Sequence, residues 1–151
     1  MSTHYTGNRE AARVLDTWVK LNRARTSVGQ VIKQAMTEHD LTPSQFGLME
    51  ILLHIGPLPL KDIGAKTLLT PSNLVTVVDN LVREGLVERR PNPEDRRSIL
   101  VILTPTGHDL IQSAFDAHLV DLMDAFSVLD ENEQEQLGQL CRKLGLAQKD
   151  T

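Results

Sequence analysis

The sequence predicts a mainly α-helical chain carrying one small β-hairpin, and three observations predict it. Apolar residues recur at helical spacing over most of the 151 residues. A Thr-Pro pair that can cap and open a helix occurs three times, at Thr42-Pro43, Thr70-Pro71 and Thr104-Pro105. Between the second and third of these lie two β-prone runs separated by a turn with two prolines. Hydrophobic residues make up 40% of the chain and aromatics only 3%, so its core must be aliphatic.

Residues 8–39 read as one long helix, because Val14, Trp18, Leu21, Val28 and Ile32 recur every three, four or seven positions without a proline. Thr42 and Pro43 start a second, mostly buried helix through Phe46, Leu48, Met49, Ile51, Leu52 and Leu53, and Gly56-Pro57 stops it. Leu58-Pro59-Leu60 has room for a bridge-like strand only, and a short helix follows over about Lys61–Leu68. The Thr70-Pro71 helix runs to about Glu84 with an apolar stripe of Leu74, Val77, Val78 and Leu81, and Gly85 ends it in a left-handed cap. Residues 86–90 and 98–103 are the two strands of the hairpin. Thr104-Pro105 opens another long amphipathic helix through Leu110, Ile111, Ala114, Phe115, Leu119, Leu122, Met123 and Phe126. Asp130 and the acids after it open the last helix, whose apolar face is Leu137, Leu140 and Leu144, with negative charge at its positive end.

Two short helices joined by a tight turn and followed by a two-stranded wing make a winged helix-turn-helix. The first and last helices have no place in so small a core, and burying their apolar faces across a two-fold axis is the economical solution. The expected organisation is one subunit over residues 1–151, with a helical dimerisation region at 1–39 and 104–151 and the winged region at 40–103.

The net charge is −4, unevenly spread. Residues 1–40 carry six basic and four acidic side chains, residues 60–97 seven and six, and residues 104–151 three and nine. A nucleic-acid partner needs a local basic face and not a basic total. The single cysteine, Cys141, excludes an internal disulfide and points to a reducing compartment. The MSTHYTGNRE start has no apolar core of a signal peptide, and no run has the roughly 18 apolar residues of a membrane helix. A soluble, cytoplasmic protein is expected.

Residues 41–110 resemble the MarR family of winged helix-turn-helix regulators, and the flanking helices fit as well. The resemblance is carried by Leu41-Thr42 with Gln45-Phe46, by Val78-Asp79-Asn80-Leu81 with Gly85-Leu86-Val87, and by Asp95-Arg96-Arg97 with Leu103-Thr104. Gly64-Ala65-Lys66 departs from the usual Leu-Ala pair, and Gly64 should loosen its helix. The resemblance implies a homodimer on a pseudo-palindromic DNA operator, repression by promoter occlusion, and release by a small aromatic acid or phenol.

On this reading the helix from Pro71 enters the major groove, and its short polar residues Ser72, Asn73 and Thr76 reach base edges. Lys66, Arg83, Arg89 and Arg90 are candidates for phosphate contacts, which position the protein without reading sequence. Taken singly each is equally a solvated charge, and Glu84 and Glu88 are placed to neutralise some of them. Arg96 and Arg97 at the wing tip suit a narrow minor groove. The resemblance implies that Asp95 orients Arg97, as a carboxylate can hold a guanidinium through paired hydrogen bonds.

An effector pocket is expected to draw on Trp18, Met49, His54, Phe115 and Met123, although apolar residues at such spacing are more often plain core. A metal-responsive alternative would need Glu38, His39 and His108 to converge, and no His-x₃-His pair supports it. An oxidant-responsive alternative would rest on Cys141, whose neighbours Arg142 and Lys143 favour a thiolate, but a buried and inert cysteine is expected. No metal and no cofactor is assigned. Enzyme motifs such as a phosphate loop, GxSxG, HExxH or paired CxxC are missing from the sequence. The remaining alternative is a winged helix used as a protein-interaction module.

Overall fold

The computed structural model describes residues 4–148. Six helices and three strands follow in the order α1 (Arg9–Glu38), α2 (Pro43–Ile55), β1 (Leu58–Pro59), α3 (Leu60–Lys66), α4 (Pro71–Arg83), β2 (Val87–Pro91), β3 (Ile99–Leu103), α5 (Pro105–Phe126) and α6 (Glu131–Ala147). The chain forms two compact units, one from the residues up to Val31 together with those from Val120 onward, the other from Ile32–Leu119. Helices α1 and α5 each contribute to both.

All three Thr-Pro starts cap as the sequence predicts. Thr42 accepts a hydrogen bond from the Gln45 N–H at 3.1 Å, and the Gln45 side chain answers by accepting from the Thr42 N–H at 3.0 Å. This reciprocal box satisfies two backbone donors that a helix start otherwise leaves unpaired. Thr70 accepts from the Asn73 N–H at 3.3 Å, and Thr104 from the Gly107 N–H at 2.9 Å. Asp130 and Glu133 build a second reciprocal box at the start of α6. Gly85 ends the α4 segment at φ +73°, where a side chain is disfavoured. Helix α3 is two residues shorter at its end than predicted, because Thr67 turns extended. It is otherwise unbroken at Gly64, where an added Cβ would meet the Leu74 side chain of α4 at 3.2 Å. The glycine therefore allows close packing of α3 on α4 instead of only loosening its own helix.

The sheet has three antiparallel strands in the order β1-β3-β2: the predicted hairpin, with the bridge-like strand expected at Leu58-Pro59 paired onto β3. Val101 faces Leu58 on one side and Arg89 on the other. The core of the winged unit is aliphatic, with Leu48, Met49, Ile63, Val78, Leu81, Val87, Val101 and Ile111 fully buried. Each such side chain removed from water contributes roughly 1.5–3 kcal/mol.

The other unit keeps little inside. Helix α6 has no buried residue, and Leu137, Leu140 and Leu144 are exposed, as are Val14, Leu15 and Trp18 of α1. Cys141 is exposed too, which corrects the expectation of a buried thiol: among the described residues every position of α6 is exposed. Among the described residues no helix is long and apolar enough to cross a membrane.

Candidate nucleic-acid interface

Helix α4 is held by its apolar side and presents the opposite side. Leu74, Val78 and Leu81 are buried, while Ser72, Asn73, Thr76, Asp79 and Arg83 are exposed. The Thr70 and Ser72 hydroxyls approach to 3.4 Å at the helix start, and the Thr76 hydroxyl donates to the Ser72 carbonyl at 3.1 Å. Thr76 thus has its O–H engaged and offers oxygen lone pairs and a methyl group outward. The unpaired N–H groups of the first turn add a partial positive charge there.

The basic candidates divide into two groups. Arg89 on β2 pairs with Asp79 on α4, and Arg90 pairs with Glu88. Among the described residues no ion pair engages Lys66, Arg83, Arg96 or Arg97. Glu88 is therefore a neutralising partner, as read from the sequence, and Glu84 is not. Glu84 instead accepts a hydrogen bond at 3.2 Å from the Gln45 amide of α2. The Asp79–Arg89 pair was missed, although the reversal at Gly85 that returns β2 beside α4 was the available signal.

At the wing tip, residues 92–98 form a hydrogen-bonded turn. The Asn92 side chain accepts from the Glu94 N–H at 3.1 Å and donates to the Ser98 hydroxyl at 2.8 Å. Asp95 accepts from the backbone N–H of Arg97 at 3.0 Å. Its carboxylate therefore shapes the turn through the main chain, where the resemblance implied a bond to the guanidinium. Arg96 and Arg97 stand exposed on that turn.

The effector candidates are only partly brought together. His54 meets Phe115 edge-on with ring centroids 4.7 Å apart, and Met49 lies fully buried in the same unit's core. Trp18 and Met123 belong to the other unit, where both are exposed. Met123 there lines a groove of about 310 Å³ with Leu122, Phe126 and Gln134. The sequence reading missed the role of His118, which is buried with its ring 4.9 Å from Phe46 and 6.4 Å from Phe115. The Nδ1 of His118 has no hydrogen-bond partner among the described residues. The three-residue step from Phe115 to His118 was the signal, since it places both on one helix face.

No group of three or more His, Cys, Asp or Glu is arranged to hold a metal ion among the described residues. Of the metal candidates, His39 has its Nδ1 2.7 Å from the Ala35 carbonyl and its Nε2 3.1 Å from the Ser113 hydroxyl. His108 lies beside Asp109 at 3.7 Å.

Comparison with known proteins places this geometry among regulators. The MarR family model matches residues 41–99, from the cap of α2 to the start of β3. The HTH-type transcriptional regulator MhqR of Bacillus subtilis is 33% identical over 135 residues, covering 89% of this chain and 93% of its own. Bordetella bronchiseptica BpsR, whose structure concerns regulation of its DNA binding by 6-hydroxynicotinic acid, aligns with a TM-score of 0.74 at 26% identity, over 85% of this chain and 98% of that one. A mutant of Escherichia coli MarR complexed with operator DNA aligns with a TM-score of 0.77 at 22% identity, over 87% and 95% of the two chains, a likeness of fold.

Proposed function

The chain belongs to the MarR family of DNA-binding transcriptional regulators, and from that premise we propose that it is a homodimeric repressor of a pseudo-palindromic operator, released by a small aromatic ligand. The observation that carries the reading is the division among the cations. Among the described residues Lys66, Arg83, Arg96 and Arg97 carry no ion pair, and they share one compact unit with the exposed polar start of α4. A charged side chain without an internal partner is available to a phosphate or a groove, and the turn at 92–98 presents two of the four.

In this mechanism Ser72, Asn73 and Thr76 read base edges, Lys66 and Arg83 bind phosphates, and Arg96 and Arg97 extend the contact to the minor groove. Arg89 and Arg90 reach phosphates only by sharing their carboxylates' hold. Asp95 keeps the wing turn in shape. Two copies set their α4 helices about 34 Å apart, one turn of DNA. An aromatic ligand releases the operator by favouring a different spacing, and it does so only through its differential affinity for the two spacings. The BpsR structure supports a hydroxylated aromatic acid as the class to screen first.

The test is a titration against fragments of the DNA upstream of the protein's own gene at about 50 and 200 mM salt. With six to ten phosphate contacts per dimer, affinity should fall by roughly 10³–10⁵ between those concentrations. A sequence-independent complex, or none at low salt, would refute the reading. Binding that ignores salt would point to an apolar protein interface in its place.

A further inference from the structure

Val75 stands outside the buried stripe of the helix that carries it. The inward side of α4 is Leu74, Val78 and Leu81, with Val77 half-buried against the core. Ser72, Thr76, Asp79 and Arg83 form the outward row at steps of four, three and four. Val75 and Val82 flank that row on one side, and Asn73 and Asn80 flank it on the other. Val75 is 42% exposed and Val82 37% exposed. A lone surface valine needs no explanation in itself. Valine is, however, a poorer helix former than alanine, lysine or glutamate, so local preference does not favour it at an exposed helical position.

Its position supplies the reason. Val75 is the fifth residue of α4, just past the first turn. A recognition helix meets the base edges with its N-terminal residues. The major groove offers those residues one apolar group, the C5-methyl of thymine. Ser72 and Asn73 supply hydrogen-bonding groups at the same end. We propose that Val75 packs on a thymine C5-methyl and so selects thymine at one position of each operator half-site. The proposal rests on the operator-binding reading above and names a specificity residue within it. Val82 lies seven residues on, about 10 Å further along the helix, beyond the part that meets the bases. Leu68, fully exposed in the turn before α4, is the competing apolar contact.

Replacing single thymines of the operator by deoxyuridine removes the methyl and nothing else. Wild-type protein should lose about fourfold in affinity at the contacted position, the value of one buried methyl, and show no change at most others. Val75→Ala removes the contact from both half-sites at once, so it should bind the unmodified operator about 16-fold more weakly and be indifferent to deoxyuridine there. Alanine favours the helix, so the variant should fold. Val82→Ala should behave as wild type. Tight wild-type binding with no methyl dependence at any position overturns this assignment alone. So does a penalty that survives in Val75→Ala, or one that vanishes in Leu68→Ala instead. Failure of the wild type to bind any fragment overturns the operator reading and this assignment with it.

Discussion

The Asp95 carboxylate serves the wing by binding the backbone of Arg97 and not its guanidinium, and that changes what its removal should do. A carboxylate that steered the Arg97 guanidinium would be irreplaceable by an amide. A side-chain oxygen that caps the Arg97 N–H at 3.0 Å is replaceable, because Asn presents the same oxygen. Asp95→Asn should therefore bind the operator as well as wild type or better, since it also removes a negative charge near the phosphates. Asp95→Ala should bind about fivefold more weakly, the worth of one hydrogen bond of roughly 1 kcal/mol. Equal losses in the two variants, measured by fluorescence anisotropy, would restore the guanidinium role. The sequence made Asp95 and Arg97 conspicuous because they are neighbours in a proline-bounded turn. It did not reveal which atom of Arg97 is bound, since that depends on dihedral angles that adjacency leaves open. The pairing of Arg89 with Asp79 needed more than adjacency: the reversal at Gly85 brings the two elements together, but which side chains meet across it depends on the register of β2 beside α4.

Among elements, the helix starts were legible and the close approaches were not. Capping is local, and Thr42-Pro43, Thr70-Pro71 and Thr104-Pro105 announce it within two residues. The short strand at Leu58–Pro59 was legible as a bridge-like piece, but its pairing with β3, some 40 residues on, is something no local pattern encodes. Gly107 is another long-range case. It lies buried in the first turn of α5, and an added Cβ would overlap the carbonyl of Leu86, the residue just before β2. The obstacle is backbone, so a side chain cannot swing away to relieve it. Gly107→Ala should destabilise the fold by about 1–3 kcal/mol or more, as overpacking does, despite alanine's better helix propensity. Chemical denaturation with an unchanged m-value and a lowered midpoint is the expected record. An unchanged midpoint would mean that α5 can shift away from β2 freely.

For the whole molecule, the unfinished surface is the informative one. Leu140 is 65% exposed and Trp18 58% exposed, on helices the sequence had already left without a core to join. A large apolar side chain in water is ordinary singly, whereas a row of them, such as α6 carries, is the kind of surface that a partner covers. If a second copy covers that row, Leu140→Glu should sediment as a monomer at concentrations where the wild type is a dimer. Its operator affinity should fall by at least about 100-fold through loss of bivalent binding. A dimeric Leu140→Glu with full affinity would move the dimer contact elsewhere. What the sequence could not supply at this scale was the state of Cys141, because exposure on α6 depends on what lies beyond the chain.

One small joint has a consequence for how such a reader can diversify. Thr104 donates its hydroxyl to the Gly85 carbonyl at 2.7 Å and its N–H to the Leu86 carbonyl at 3.1 Å, while the Gly107 N–H bonds to the same hydroxyl at 2.9 Å. The two roots of the wing are thus stapled together and to α5, whereas among the described residues the side-chain hydrogen bonds of residues 92–98 stay within that segment. Reach and aim are separate variables in this hairpin. The tip can be exchanged, lengthened or recharged as an interchangeable head, with the direction in which it points still set at the root.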